Sequence, residues 1–206
     1  MSLPNFYAEA PRIIVRDALA QFLGASDDGL FEYEYADAVR LAGHSCPTVA
    51  GAYLSTRAAL KALYPGSIPE RGNIAVRLPT PVTEGVTGVI AQVCTLITGA
   101  TAEGGFKGLA GRFQRAGLMA FAPAGEENDN GILFKRIDNG KAVSVVFNPT
   151  TAPIHAHQRQ YMGAAITGTA SEEERVMFAT AWQQRVAMLL TELADDPATI
   201  QVRVLG

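Results

Sequence analysis

The stretch Leu41-Ala42-Gly43-His44-Ser45-Cys46-Pro47-Thr48-Val49-Ala50-Gly51-Ala52-Tyr53-Leu54 sets a histidine and a cysteine two residues apart, directly before a run of small and apolar residues. Proline disfavours helical backbone at the residue before it and suits the first position of a helix. The sequence therefore predicts an extended Cys46 and a helix beginning at Pro47. A thiol so placed stands at a helix N-terminus, where partial positive charge and unpaired N–H groups favour the thiolate, the form that attacks and ligates. In extended backbone, residues i and i+2 share a face, so His44 and Cys46 can grip one metal ion; on a helix they would point apart.

Working outward, the helix from Pro47 is predicted to run to about Leu63 and to be central and heavily buried. Ala50, Tyr53, Leu54, Ala58 and Leu63 form its inner side, and Ser55, Thr56, Arg57 and Lys61 mark a wetter one. Upstream, Ile13, Ile14, Ala18 and Phe22 recur close to a 3.6 period, which predicts a helix over 8–23 ended by Gly24. Residues 31–35 alternate aromatic and acidic side chains as a strand does, and 36–42 return to helix formers before Gly43.

Downstream, 73–78 alternate as a strand that stops at Pro79 and Pro81. Residues 89–98 suit a buried strand by composition and a buried helix by length, and helix is preferred. A short strand is predicted over 117–122, then an acidic turn over 126–130. Two strands follow, 132–137 and 141–147, joined by Asn139-Gly140 as a type I′ hairpin. Ser171 and Glu174 form a capping box that opens a long helix with Trp182, Val186, Leu189, Leu190 and Leu193 on its buried stripe, ended by Asp195-Asp196-Pro197. Trp182 reads as core. Ile200, Val202 and Val204 alternate as a last strand. The sum is one α+β domain over 1–206, a mainly antiparallel sheet packed against the central small-residue helix and the long C-terminal helix.

A chain of 206 residues can bury a substantial core without disulfides. A net charge of −3 and 17 basic residues without a run give no general attraction to nucleic acid. No apolar run approaches the roughly 20 residues that span a bilayer, and the N-terminus lacks the basic and apolar regions of a signal peptide. Cys46 and Cys94 have no secretory disulfide framework around them, which fits a reducing, cytoplasmic compartment.

Metal sites commonly take three or four protein ligands, and beyond His44 and Cys46 the remaining histidines and cysteine are His155, His157 and Cys94. His155-Ala156-His157 is predicted extended, so that both rings share a face and supply a second two-toothed arm. Cys94, between Val93 and Leu96, suits a buried inert thiol better than a ligand. Sulfur and imidazole together select zinc first, with iron, nickel or copper as alternatives. Two other uses fit the same residues. One is a metal-free small-molecule site wrapped by the glycine-rich stretch from Gly99 to Gly108, which also suits an ordinary tight connection. The other is a thiol enzyme with Cys46 as nucleophile and His44 as base. Glu103, in the glycine-rich stretch, is a candidate general acid or base near a metal.

At His44-Ser45-Cys46-Pro47 and the small-residue helix after it, the chain resembles the FmdE family, named for a component of formylmethanofuran dehydrogenase. That family's pattern is close to His-Gly-His-x-Cys-Pro-Gly. A second segment, residues 89–101, is similar to another of its motifs, and the likeness runs from about residue 37 to 148. The motif's first histidine is Ala42 here and its glycine after the proline is Thr48, so His44 and Cys46 are the positions that match. The resemblance implies an α+β domain that forms a homodimer and holds a metal, zinc foremost, near the His-x-Cys turn.

Overall fold

The computed structural model describes residues 3–125 and 130–206, so most of the acidic turn expected at 126–130 lies outside the described residues. In chain order the elements are α1 (Phe6–Glu9), β1 (Ile13–Arg16), α2 (Ala18–Phe22), β2 (Leu30–Tyr33), α3 (Tyr35–Ala42), α4 (Pro47–Leu63), β3 (Ile74–Leu78) and α5 (Thr87–Thr98). They continue with β4 (Met119–Phe121), β5 (Ile132–Arg136), β6 (Ala142–Phe147), α6 (Ala156–Thr167), α7 (Glu172–Leu190) and β7 (Ile200–Leu205). The fold is α+β, with a five-stranded sheet in the order β4-β3-β5-β6-β7 and a separate β1-β2 pair. Within the larger sheet β3 and β4 run parallel and the other pairs antiparallel.

The pleat of the large sheet explains where the core sits. Val76 pairs with Phe134, and Phe134 with Val143, while Ile132 pairs with Val145. All of these are buried and lie on one face. Helix α4 covers that face, touching β5, β6 and β7 on one side and α3, α5 and α7 on others. Small residues allow the approach. A Cβ added to Gly51 would come within 2.2 Å of the Phe147 ring, so the glycine lets a β6 side chain press against the helix backbone. The expectation that Ser55 and Thr56 face water is overturned, since both are fully buried. Thr56 satisfies its hydroxyl by donating to the Ala52 carbonyl at 2.8 Å.

The N-terminal helix expected over 8–23 is replaced by α1, β1 and α2. Pro11 removes helical backbone from the residue before it, and Ile13-Ile14-Val15 then alternate buried and exposed as β1 pairs with β2. Asp17 restarts a helix, its carboxylate accepting from the Leu19 and Ala20 amides. The 132–147 hairpin forms, but its turn is not type I′. That turn needs two left-handed residues, and of Asn139 and Gly140 only Gly140 has positive φ. Asn139 instead accepts the Lys141 amide on its side chain, and the connection lengthens to residues 137–141. The capping box opens α7 as predicted, yet the helix stops at Leu190, short of Asp195, where the Thr191 hydroxyl bonds back to the Ala187 carbonyl.

One buried charge cluster ties the β1-β2 unit to the body of the fold. Asp17 is nearly inaccessible and takes Arg71 at 2.7 Å on one oxygen and Arg115 at 2.6 Å on the other. Arg71 also donates to the Leu96 carbonyl at the end of α5. Gly72 has φ +85° and leaves the space for the Arg115 guanidinium, which an added Cβ would meet at 1.0 Å. Removing one partner of such a cluster leaves charge without compensation in a dry site. Asp17→Ala is therefore expected to lower the unfolding free energy by about 3–5 kcal/mol in urea titration, while Arg12→Ala, at a largely exposed pair, changes it by about 1 kcal/mol at most.

Candidate functional site

The His44–Cys46 turn forms as the proline predicts. Cys46 is extended (φ −150°, ψ 168°) and occupies the N-cap of α4, with Pro47 at the first helical position. Gly43 ends α3 with left-handed backbone, which no larger residue would take so readily, and throws the chain across to α4. His44 is exposed and Cys46 half-buried, so the pair sits at the surface on the end of a buried helix.

The imidazole is oriented by the backbone. His44 Nδ1 lies 3.0 Å from the Ala42 carbonyl, which can only accept, so Nδ1 carries the proton. In the neutral ring this leaves Nε2 with its lone pair directed at Cys46 Sγ, 3.4 Å away. Zinc-to-sulfur and zinc-to-nitrogen bonds of about 2.3 and 2.0 Å at a tetrahedral angle set their two ligand atoms about 3.5 Å apart. The pair is thus spaced for a shared metal, and also for a thiol donating to an imidazole.

Three side chains that sequence reasoning did not connect to the turn hold it in place. The Trp182 indole N–H donates to the Ser45 carbonyl at 3.0 Å and the Gln183 amide does so at 3.3 Å, both from α7. The Tyr35 hydroxyl of α3 bonds the Ser45 hydroxyl at 3.0 Å. Burial pushes the Tyr35 phenol well above its ordinary pKa, so it stays protonated here. Trp182 does pack against the core, as the stripe of α7 predicts. Its polar edge was the available signal, because a buried indole N–H seeks an acceptor.

The other expected site residues lie apart. His155 and His157 are not in an extended segment: α6 begins at Ala156, and His155 is its N-cap, accepting the His157 amide on Nδ1 at 3.1 Å. A histidine lone pair caps the helix much as an asparagine would, which the local Pro153 and the absence of a Ser or Asp cap concealed. The two rings still lie edge to face, 4.8 Å between centroids, with Tyr161 one turn on at 5.7 Å from His157. Cys94 is fully buried on α5 and meets the Thr56 hydroxyl at 3.5 Å. Glu103 is exposed in the glycine-rich loop. Among the described residues no three histidine, cysteine, aspartate or glutamate side chains converge on one metal position, so these residues do not join His44 and Cys46 as one ligand set within the chain.

The glycine-rich stretch packs on itself as a tight connection. Gly99 closes α5 in left-handed backbone. An added Cβ at Gly105 would meet the Thr101 hydroxyl at 1.6 Å, and the Phe106 carbonyl accepts both the Arg115 and Ala116 amides. Among the described residues no helix is long and apolar enough to cross a membrane. Both cysteines are free.

No family model and no curated protein matches this chain. Among solved structures, the chain is similar to that of a tungsten formylmethanofuran dehydrogenase FmdE-like protein from Syntrophus aciditrophicus. Identity is 15%, the match covers 84% of this chain and 72% of that one, and the TM-score is 0.44. A likeness of that extent assigns neither ligand nor activity.

The two thiols differ in a way that alkylation reads out. Burial pushes the Cys94 thiol up to about 11, so it stays protonated at neutral pH as well as inaccessible. Iodoacetamide at pH 7.5 is expected to modify Cys46 in the native protein and to reach Cys94 only after unfolding, as followed by mass spectrometry of the intact chain and its peptides.

Proposed function

We propose that this chain binds a divalent transition metal, zinc before others, through His44 Nε2 and Cys46 Sγ at the N-terminus of α4. The observation that supports it is the fixed imidazole: Nδ1 donates to the Ala42 carbonyl and Nε2 faces the sulfur at 3.4 Å. Metal-ligating histidines are commonly held by such a bond from the other ring nitrogen. Two protein ligands leave coordination positions for a small molecule or for groups from a second copy of the chain, in keeping with the homodimer that the family resemblance implies. A metal bound there would supply Lewis acidity at the mouth of a buried helix. The chain's own part is to hold the two donors in register, through the bonds that Trp182, Gln183 and Tyr35 make to Ser45.

The same contact favours a second reading, a thiol–imidazole pair in which Cys46 is the nucleophile and His44 takes its proton. The two readings part on metal. Untagged protein purified without chelator is expected to carry zinc, and cobalt(II) titration of the stripped protein to raise a sulfur-to-cobalt absorbance in the near ultraviolet. His44→Ala and Cys46→Ser should lose both signals. Equal, negligible metal in all three proteins would leave the thiol reading standing and remove the metal one.

Trp182 gives an independent readout, being the sole tryptophan of the chain and bonded to the turn between the two ligands. Metal addition is expected to change its fluorescence in wild type and not in Cys46→Ser. Trp182→Phe keeps the ring packing but frees the Ser45 carbonyl, and should weaken cobalt binding about tenfold without abolishing the charge-transfer signal.

A further inference from the structure

Beside the turn, a pocket of about 190 Å³ runs along α4 between α5 and the end of β6. Thr48, Gly51, Ala52 and Ser55 line it from α4, and Ile90 and Phe147 face them. The four helical positions fall on one stripe, three to four residues apart, and their small size leaves the space open. Among the described residues, no charged side chain lines it. Val86, half exposed, marks its open side.

Ser55 is the one feature of this pocket that packing does not explain. The side chain is fully buried, and its hydroxyl has no hydrogen-bond partner among the described residues. A helical serine or threonine ordinarily relieves its hydroxyl on the carbonyl four residues back, as Thr56 does next door. A buried hydroxyl left without a bond destabilises the fold unless something else supplies one. Apolar packing needs only an alanine at this position.

We propose that this pocket is a binding site for a small neutral molecule, one with an apolar body of about seven heavy atoms and a single hydrogen-bonding group that meets Ser55 Oγ. A dry cavity of about 150 Å³ accommodates benzene, so this pocket takes a ring with one or two further atoms. The apolar walls exclude an ionised ligand, which would lose its hydration for one hydroxyl in return. Nine residues separate Cys46 from Ser55, about 13 Å along the helix. A ligand seated on Ser55 therefore need not touch the turn, and the inference stands whether or not His44 and Cys46 bind metal.

The test uses the full chain stripped of metal with EDTA, with phenol, toluene and benzoate as probes of nearly equal size, read by calorimetry and by chemical shifts of α4 amides. Phenol is expected to bind about tenfold more tightly than toluene, the worth of one good hydrogen bond, and benzoate not at all. Ser55→Ala should bring phenol down to the toluene level and raise the melting temperature of the unliganded protein, because the orphaned hydroxyl is gone. Ile90→Trp should fill the pocket and abolish both; if that variant fails to fold, the Ser55→Ala comparison decides alone. No binding of phenol, the same phenol-to-toluene ratio in wild type and Ser55→Ala, or a lower melting temperature in Ser55→Ala would each overturn the proposal.

Discussion

Burial of α4 on nearly every side is the constraint on which the rest of the structure depends. A helix surrounded by three others and by three strands must present small residues wherever a neighbour's backbone or ring comes close, and Val49-Ala50-Gly51-Ala52 supply them. The core of the sheet is shaped to this helix: Phe147 rests on Gly51, and Val143 and Val145 of the same strand face inward beside it. Because α4 cannot shift without disturbing six elements, its two ends are fixed points. The N-terminal one carries Cys46.

That fixity explains why a surface turn is held by side chains from distant parts of the chain. Trp182 and Gln183 lie more than 130 residues from Ser45 and yet converge on one carbonyl oxygen, while Tyr35 takes the hydroxyl. The segment just after β6 is held in turn by Arg185, which donates to the Pro149 and Ala152 carbonyls from the same helix. Helix α7 therefore orders both the His-x-Cys turn and a wall of the pocket beside it. The charge cluster at Asp17 fastens the small β1-β2 unit to the segments before β3 and β4 through Arg71 and Arg115, and through Arg71 to the Leu96 carbonyl of α5, where local pairing alone would be marginal.

Polar groups inside this protein divide into two kinds. Asp17, Arg115, Thr56 and Thr98 are buried, and each has a partner that accounts for it. Ser55 does not, and it stands where the wall of α4 leaves space. Among the described residues the Tyr64 and Thr101 hydroxyls are also buried without a partner, and of the three Ser55 is the one that lines the pocket beside the turn.

Sequence alone determined the elements whose signals are local. Pro47 started α4 and set Cys46 extended; Ser171 and Glu174 opened α7; alternation marked β3, β5, β6 and β7; and i, i+2 spacing put His44 and Cys46 within reach of each other. Local signals also misled where a neighbour in space held the deciding vote. Ile13-Ile14-Val15 read as helical until β2 offered them a partner, His155 capped a helix that no usual cap residue announced, and Ser55 and Thr56 read as wet until α5 covered them. Only the tertiary structure decided that Trp182 reaches Ser45, that His155, His157 and Cys94 stand apart from the turn, and that a cavity lies against Ser55. Each of these is a matter of which distant segments share space, and period, spacing and capping carry no record of that.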